Sequence, residues 1–332
     1  MADTLQVGLL SCGGMARTLG RALGKVPRAQ LAQVCDLDGA AARAFGEEMG
    51  VPWTTDAQAL LADDRIAAVI IATPNFTHVD LVEVAAKAGK HIFCEKPLAL
   101  STADADRMLA ATRAAGVHLV VGHVLRLLPV FDHIRTLVAD GVLGRPFALR
   151  ITRAGGWGER QPWRQQRRTS GGPLFEVNVH ELDFMRCLLG EPQSVYAMGA
   201  NAVVSGVDFE DTAMVSVRFA EGAFGALHCS IGAALPEYTG TLQGTEGTLR
   251  FSNGGPRRID WKRFDGTAGE LSGDALAVPD AHVRELGFLV AAALDGVTPQ
   301  LRGEDGRAAV AMAEAAVRSM QSGKIEPVAP PA

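Results

Sequence analysis

The chain predicts an α/β protein: an N-terminal, doubly wound parallel sheet, then a C-terminal α+β domain with a large, mostly antiparallel sheet. Three observations carry that prediction. Up to residue 122, short apolar runs alternate with helix-length amphipathic segments, as βαβ units do. Beyond it, β-type runs follow one another across short turns such as Ala220-Glu221-Gly222 and Gly244-Thr245-Glu246-Gly247. The length, 332 residues at 48% hydrophobic and 21% charged, is enough for two cores. The domains are placed at 1–122 and 123–332.

The first strand, Leu5 to Leu10, runs into Ser11-Cys12-Gly13-Gly14-Met15-Ala16 and then the helical pattern Leu19, Ala22, Leu23. Strand, tight turn and helix in that order let small residues bring backbone N–H groups to a pyrophosphate at a helix N-terminus. Ser11 stands where the dinucleotide fingerprint has its first glycine and Ala16 where it has its third. Only Gly13 is in place, and any βα turn shares that much. A second strand, Leu31 to Val34, ends in Cys35-Asp36, with Asp36 lying 23 residues after Gly13. An acid at about that spacing accepts hydrogen bonds from the ribose hydroxyls and repels a 2′-phosphate, which favours NAD over NADP. Asp38 is read as the cap of the helix Gly39 to Met49, and Asp36 as the binding residue.

The alternation continues through strand Ala67 to Ala72, the turn Thr73-Pro74-Asn75, helix Val79 to Ala88, strand His91 to Cys94, helix Ala103 to Ala115 and strand Val117 to Val121. Glu95-Lys96-Pro97 follows the strand at His91. A lysine at the carboxyl edge of a buried strand points into the crevice where open α/β sheets bind ligands. Taken alone, the tripeptide is equally an ordinary turn, with Pro97 ending the ladder and Lys96 in solvent.

Past Val121 a helix is expected over Val130 to Asp140. Gly141 and Gly144-Arg145-Pro146 then lead into strands at Phe147–Thr152, Ser194–Val204, Thr212–Phe219, Ala223–Ile231, Tyr238–Gln243, Gly247–Phe251 and Arg258–Trp261. Between the first two strands, Pro173 starts one helix that runs to about Leu189 before Gly190 and Pro192 stop it. On that helix Glu176, His180 and Asp183 fall at i, i+4 and i+7, opposite Leu182, Met185 and Leu189. A carboxylate one turn from an imidazole can fix its tautomer and raise its basicity. The plainer reading is a histidine satisfied at a domain boundary beside solvated acids.

A net charge of −5 and a pI of about 5.9 give no reason to expect nucleic acid as a partner. The basic cluster Arg160, Arg164, Arg167 and Arg168, interleaved with Trp157 and Trp163, is read as a loop near a substrate pocket or a subunit contact. Five cysteines, Cys12, Cys35, Cys94, Cys187 and Cys229, lack metal-ligand spacing and are read as reduced core residues. No metal is expected. No apolar run reaches the length of a membrane span and no signal peptide precedes the first strand, so a soluble, cytoplasmic protein is expected.

Taken together, Gly13-Gly14, Asp36, Ala72-Thr73-Pro74-Asn75 with His78, Ala88-Gly89-Lys90-His91, Glu95-Lys96-Pro97, Gly122-His123 with Arg126, and Ser170-Gly171-Gly172 with His180 and Asp183 resemble the Gfo/Idh/MocA oxidoreductases. These are the relatives of glucose-fructose oxidoreductase and inositol dehydrogenase. The resemblance runs from Val7 to a C-terminal helix around Ala308 to Ser322. It implies a Rossmann domain over 1–122 that binds NAD, with NADP less favoured, through Ser11, Gly13, Gly14, Met15, Asp36, Thr73, Pro74, Asn75, His78, Glu95 and Lys96. It also implies that 123–332 binds substrate and, through the outer face of its sheet, forms a homodimer or homotetramer.

By the same resemblance His180 transfers the proton, Glu176 stands where aspartate is usual, and Lys96 contacts both the nicotinamide and the reacting hydroxyl. Glu176 for aspartate and Asn178 for glycine are departures from the family pattern. The implied reaction is reversible, NAD-linked oxidation of a secondary alcohol or hemiacetal on a sugar, sugar derivative or cyclitol. An imidazole takes the hydroxyl proton while an ammonium stabilises charge developing on oxygen. Arg126, Trp157, Arg160, Trp163 and Arg164 are candidates for the substrate side. Two alternatives stay open: a glycosidase or isomerase that retains its cofactor and oxidises transiently, and a non-catalytic nucleotide-sensing regulator. Retention of both Lys96 and His180 argues against the regulator.

Overall fold

A computed structural model describes residues 4–158 and 161–330. Within it the chain forms two compact units, one made of Met1–Val124 with Pro279–Arg307 and the other of Leu125–Val278 with Ala308–Ala332.

The first unit is built on six parallel strands: β1 (Leu5–Leu10), β2 (Ala29–Cys35), β3 (Trp53–Thr54), β4 (Ala68–Ile71), β5 (His91–Cys94) and β6 (Leu119–Val121). Their order across the sheet is β3-β2-β1-β4-β5-β6, the doubly wound arrangement whose direction reverses between β1 and β4. All four residues of β4 are buried, as are Ile92 to Cys94, because helices cover both faces of a parallel sheet. The helix Gly39–Met49 starts where Asp38 accepts the N–H groups of Ala40 and Ala41 (2.9 and 3.3 Å) and stops at Gly50, whose φ of 67° is left-handed.

Residues 279–307 also belong to this unit, whereas the sequence reading kept all of 123–332 together. Asp280 caps a helix, Ala281–Asp295, that packs on the helix Gly14–Leu23 and on β1, β5 and β6. Leu301 then accepts the N–H of Val121 (3.0 Å), continuing the edge beside β6. The reason is local: the apolar face of β1, β5 and β6 is covered by Leu286, Leu289 and Val290, all buried.

The second unit contains a nine-stranded sheet. Its strands are β7 (Pro146–Gly156), β8 (Pro192–Ala200), β9 (Thr212–Phe219), β10 (Phe224–Ser230), β11 (Gly232–Gly244), β12 (Gly247–Ser252), β13 (Arg258–Arg263), β14 (Ala268–Ser272) and β15 (Glu326–Pro327). The order is β14-β13-β12-β11-β7-β10-β9-β8-β15, antiparallel except for the pair β7 and β10. One face alternates inward with Ile151, Val215, Val217, Leu227, Leu242 and Leu249, and Phe131 and Phe184 pack edge to face above it at 4.9 Å. The other face leaves Tyr196, Met198, Met214 and Phe224 exposed.

The helix expected over Pro173 to Leu189 is two helices, Pro173–Glu176 and Val179–Leu189. Val177 and Asn178 both donate their N–H to the carbonyl of Pro173 (2.9 Å each), which widens the turn and interrupts the i, i+4 ladder. Asn178 sits at the N-cap of the second helix and Glu181 three residues on. That Asn-x-x-Glu pattern is a helix-start signature within the sequence, and it marks the break.

Candidate functional site

In a parallel sheet the carboxyl ends of all strands lie on one edge, so the loops after β1, β2, β4 and β5 share it. The turn after β1 begins with Ser11 at φ 91°, a left-handed backbone that fits the place of a fingerprint glycine. Gly13 and Gly14 are exposed and the helix they start has no side-chain cap, so its first N–H groups remain for an anionic ligand. A Cβ on Gly13 would meet nothing nearer than the Ser11 hydroxyl at 3.5 Å, so the fold itself does not demand glycine there. At the end of β2, Asp36 accepts the N–H of Cys12 (2.7 Å) and of Asp38 (2.9 Å), which ties the acid to the glycine turn. Asp38 caps the next helix. These features suit a dinucleotide: uncapped amides for the pyrophosphate and a fixed carboxylate for the ribose.

Burial, with the Asp36 carboxylate adding to it, pushes the Cys12 thiol up to about 12, so it stays protonated. All five cysteines are free; four are buried, but Cys187 is exposed rather than in the core.

After β4, Thr73 and Thr77 share a hydroxyl contact of 2.7 Å, and Thr77 donates to the Pro74 carbonyl at 2.7 Å. Asn75 is buried. His78 is fully buried, with Nδ1 2.9 Å from the Pro97 carbonyl and Nε2 3.0 Å from the Thr73 carbonyl. The ring thus braces the loop after β4 against the turn after β5. In that turn Glu95 is buried, Lys96 is half-buried, the Lys96–Pro97 peptide is cis, and Glu95 Oε2 accepts the Lys96 N–H at 3.1 Å. Gly122 lies tight beside it: a Cβ there would sit 3.1 Å from a Glu95 carboxylate oxygen, which would have to give way slightly. Met15, Leu37 and Phe76 are exposed apolar side chains on these loops; only Met15 was singled out from the sequence.

The second unit holds its candidates through ion pairs. His180 and Glu176 are both buried, but they lie on separate helices because of the break at Val177-Asn178. The expected one-turn spacing on a single helix is therefore corrected. Glu176 instead pairs with Arg164 (3.2 Å), whose guanidinium stacks over Trp163 at 4.9 Å. Asp183 is fully buried and takes two hydrogen bonds from the guanidinium of Arg126, from Nε at 2.7 Å and from the second nitrogen at 2.5 Å. That closes off the expectation of solvated acids. Trp163 Nε1 donates to Gln161 (2.9 Å). Trp157 is buried edge-on against Phe209 and beside Ile231, on the wall of an open cleft of about 740 Å³ that Gln165 and Val203 also line. Arg160 lies outside the described residues.

Sequence reasoning missed Asp211, although an acid ahead of a β-run is a common loop anchor. Its Oδ2 accepts the N–H groups of Ala202, Val203 and Val204 (2.9, 2.5 and 2.8 Å), holding the loop that lines the cleft. Those three hydrogen bonds outweigh burial and hold its carboxyl below the usual range.

Residues 5–123 match the family described as oxidoreductase family, NAD-binding Rossmann fold, and residues 131–250 match the GFO/IDH/MocA C-terminal domain. The chain is 32% identical over 329 residues to inositol 2-dehydrogenase of Rhizobium meliloti, covering 96% of this chain and 97% of the relative. It is 32% identical over 267 residues to 2,7-anhydro-N-acetylneuraminate hydratase of Mediterraneibacter gnavus, covering 77% and 70%. Among solved structures, an oxidoreductase from Agrobacterium radiobacter in complex with NAD+, L-tartaric acid and magnesium superposes with a TM-score of 0.88 at 26% identity, over 98% of this chain and 99% of the other.

Proposed function

Because the chain belongs to the Gfo/Idh/MocA oxidoreductases and carries their NAD-binding Rossmann domain, we propose that it oxidises a secondary alcohol or hemiacetal of a sugar, sugar derivative or cyclitol, reversibly. One observation carries the reading: a half-buried lysine, Lys96, sits in the turn after β5 in the first unit, and a buried histidine, His180, lies in the first turn of a helix in the second. NAD supplies the hydride acceptor. Ser11, Gly13, Gly14 and Met15 would hold its pyrophosphate and Asp36 its adenosine ribose, with Thr73, Pro74, Asn75 and Glu95 as further cofactor-binding residues. His78 acts from beneath, holding two of those loops.

His180 takes the hydroxyl proton, and the Lys96 ammonium stabilises negative charge on the oxygen as the proton leaves. Glu176, paired with Arg164, keeps a carboxylate near the substrate side. Trp157, Trp163, Arg164 and Arg126 belong to that side, Arg126 through its grip on Asp183.

A second reading is favoured by the likeness to a hydratase: a cofactor retained through turnover and oxidised or reduced only transiently. The exposed side chains Tyr196, Met198, Met214 and Phe224, with Met198 and Met214 opposed on neighbouring strands, support a homodimer or homotetramer joined through that sheet face. Free cysteines throughout, and the lack of any helix among the described residues long and apolar enough to cross a membrane, support the cytoplasm.

The test is a panel of sugars, anhydrosugars and cyclitols, with NAD and NADP in parallel and absorbance reporting NADH. At least one compound should give NADH, faster with NAD than NADPH forms with NADP. Lys96→Met and His180→Asn should each lower kcat by about 10²-fold or more while keeping NADH affinity. Full activity in either folded variant overturns the assignment. Turnover without released NADH selects the second reading.

A further inference from the structure

The turn that starts the His180 helix is gripped by a group of side chains that the proposed reaction does not use. Glu181 follows His180 directly and its side chain is fully buried. Its Oε1 accepts from Arg153 (2.8 Å) on β7 and from the Tyr238 hydroxyl on β11. Its Oε2 accepts from the Asn178 amide (3.1 Å) at the break itself. Arg153 and Tyr238 are direct partners across the β7–β11 ladder, and the guanidinium lies over the phenol ring at 5.1 Å. One cross-strand pair thus delivers two donors to one carboxylate oxygen. Arg153 also reaches the Val177 carbonyl at 3.4 Å, so the same cation touches both sides of the break.

We propose that Glu181 is a positioning residue for His180, anchored by Arg153 and Tyr238 from the sheet and by Asn178 from the break. This rests on the reading of His180 given above. Successive side chains on a helix project roughly 100° apart, so a carboxylate fixed at three points fixes the direction of the ring next to it. Glu181 occupies the third position of the helix, where a negative charge suits the positive end of the helix dipole. Burial and the Glu181 charge hold the Tyr238 phenol well above its usual range, so it remains a donor. Asn178 gains a purpose as a departure from glycine: its φ of −93° does not need glycine, and its amide is one of the three anchors.

The test uses the full-length protein with the best substrate of the panel. Glu181→Gln keeps volume but loses the charge and one acceptor. It should lower kcat about tenfold or more with NADH affinity unchanged, since small misplacements of a reacting group are costly. The acidic limb of the kcat profile should move to lower pH, because a buried negative charge that favours imidazolium is gone. Unchanged kcat and an unchanged limb overturn the proposal. If Glu181→Gln does not fold, Tyr238→Phe decides: it removes one anchor but keeps the Glu181 charge, so a lower kcat with NADH affinity unchanged, the acidic limb in place and the His180 ring resonances moved supports the proposal, and a wild-type kcat with unmoved resonances overturns it. The ring resonances of His180, assigned by their loss in His180→Asn, separate this proposal from the catalytic reading. If His180→Asn stays active while Glu181→Gln still moves those resonances, the catalytic role falls and the positioning role stands.

Discussion

In the first unit the loops that would meet the cofactor are held by side chains on backbone groups: the glycine turn after β1 by Asp36 on the Cys12 amide, the loops after β4 and β5 by His78 against two carbonyls. The second unit holds its helices and loops with charged side chains, pairing Arg126 with Asp183, Arg153 with Glu181 and Arg164 with Glu176. A ligand shared by many proteins can be met by amides that any sequence possesses. A substrate that differs between relatives is met by side chains, and buried charged ones need partners. Substitutions should therefore act differently in the two units.

The largest effect expected from breaking that contrast is in the second unit. Asp183→Ala leaves the buried Arg126 guanidinium without its carboxylate and should cost about 3–5 kcal/mol in chemical denaturation. Replacing both, as Arg126→Met with Asp183→Leu, should recover most of the loss. A single variant as stable as wild type would mean that Arg126 is satisfied without Asp183.

The next effects are pH-dependent and opposite in sign. In the first unit Glu285 is fully buried; burial first, then the charge of Glu95, push its carboxyl up to about 8 against an opposing hydrogen bond from His282 at 2.8 Å. Its native value lies above its unfolded one of 4.5, so its contribution is complete below that value and is lost as pH rises through about 8. Glu285→Gln should thus become progressively more stable than wild type between those limits, read as Tm against pH. Asp211, in the second unit, has its native value lowered from 3.8, so its contribution is present above 3.8 and lost as the solution is acidified past it. Asp211→Asn should flatten the acid fall in Tm and, by weakening the hold on three loop amides, cost about 1–3 kcal/mol at neutral pH. Parallel pH profiles for Asp211→Asn and wild type would refute the anchor.

The smallest effect on stability should come from Gly13→Ala, within about 1 kcal/mol, since no neighbour crowds the new methyl and the cost is only that of alanine at a helix N-cap. NADH affinity should nonetheless fall about tenfold in a fluorescence titration, because the constraint comes from the ligand's approach to the backbone. A large loss of stability with normal binding would reverse that attribution.

Much of this was legible in the sequence. The alternation of strands and helices gave the parallel sheet because its central β-runs, β4 above all, are apolar on both faces, and Asp38 capped its helix as expected. The cut at 122 missed the helix Ala281–Asp295, although Asp280 before it and Gly296 after it are ordinary start and stop residues. What sequence order hid was its destination. The break at Asn178 was also written locally, but the apolar spacing of Leu182, Met185 and Leu189 suggested one long helix, and periodicity does not register a single widened turn. The partners of Glu176, Glu181 and Asp183 come from residues 12, 28 and 57 positions away, set by sheet register and loop path, which no local pattern encodes.

The discontinuity of the first unit bears on biosynthesis. The strands of its sheet leave the ribosome early, yet Leu286, Leu289 and Val290, which cover one side of β1, β5 and β6, emerge only after residues 125–278 have been made. Throughout that interval the nascent chain carries an uncovered apolar sheet face and an unpaired edge at β6, features that recruit chaperones or neighbouring chains. A transcript truncated before residue 279 would thus yield a product prone to aggregate, whatever the quality of its nucleotide loops.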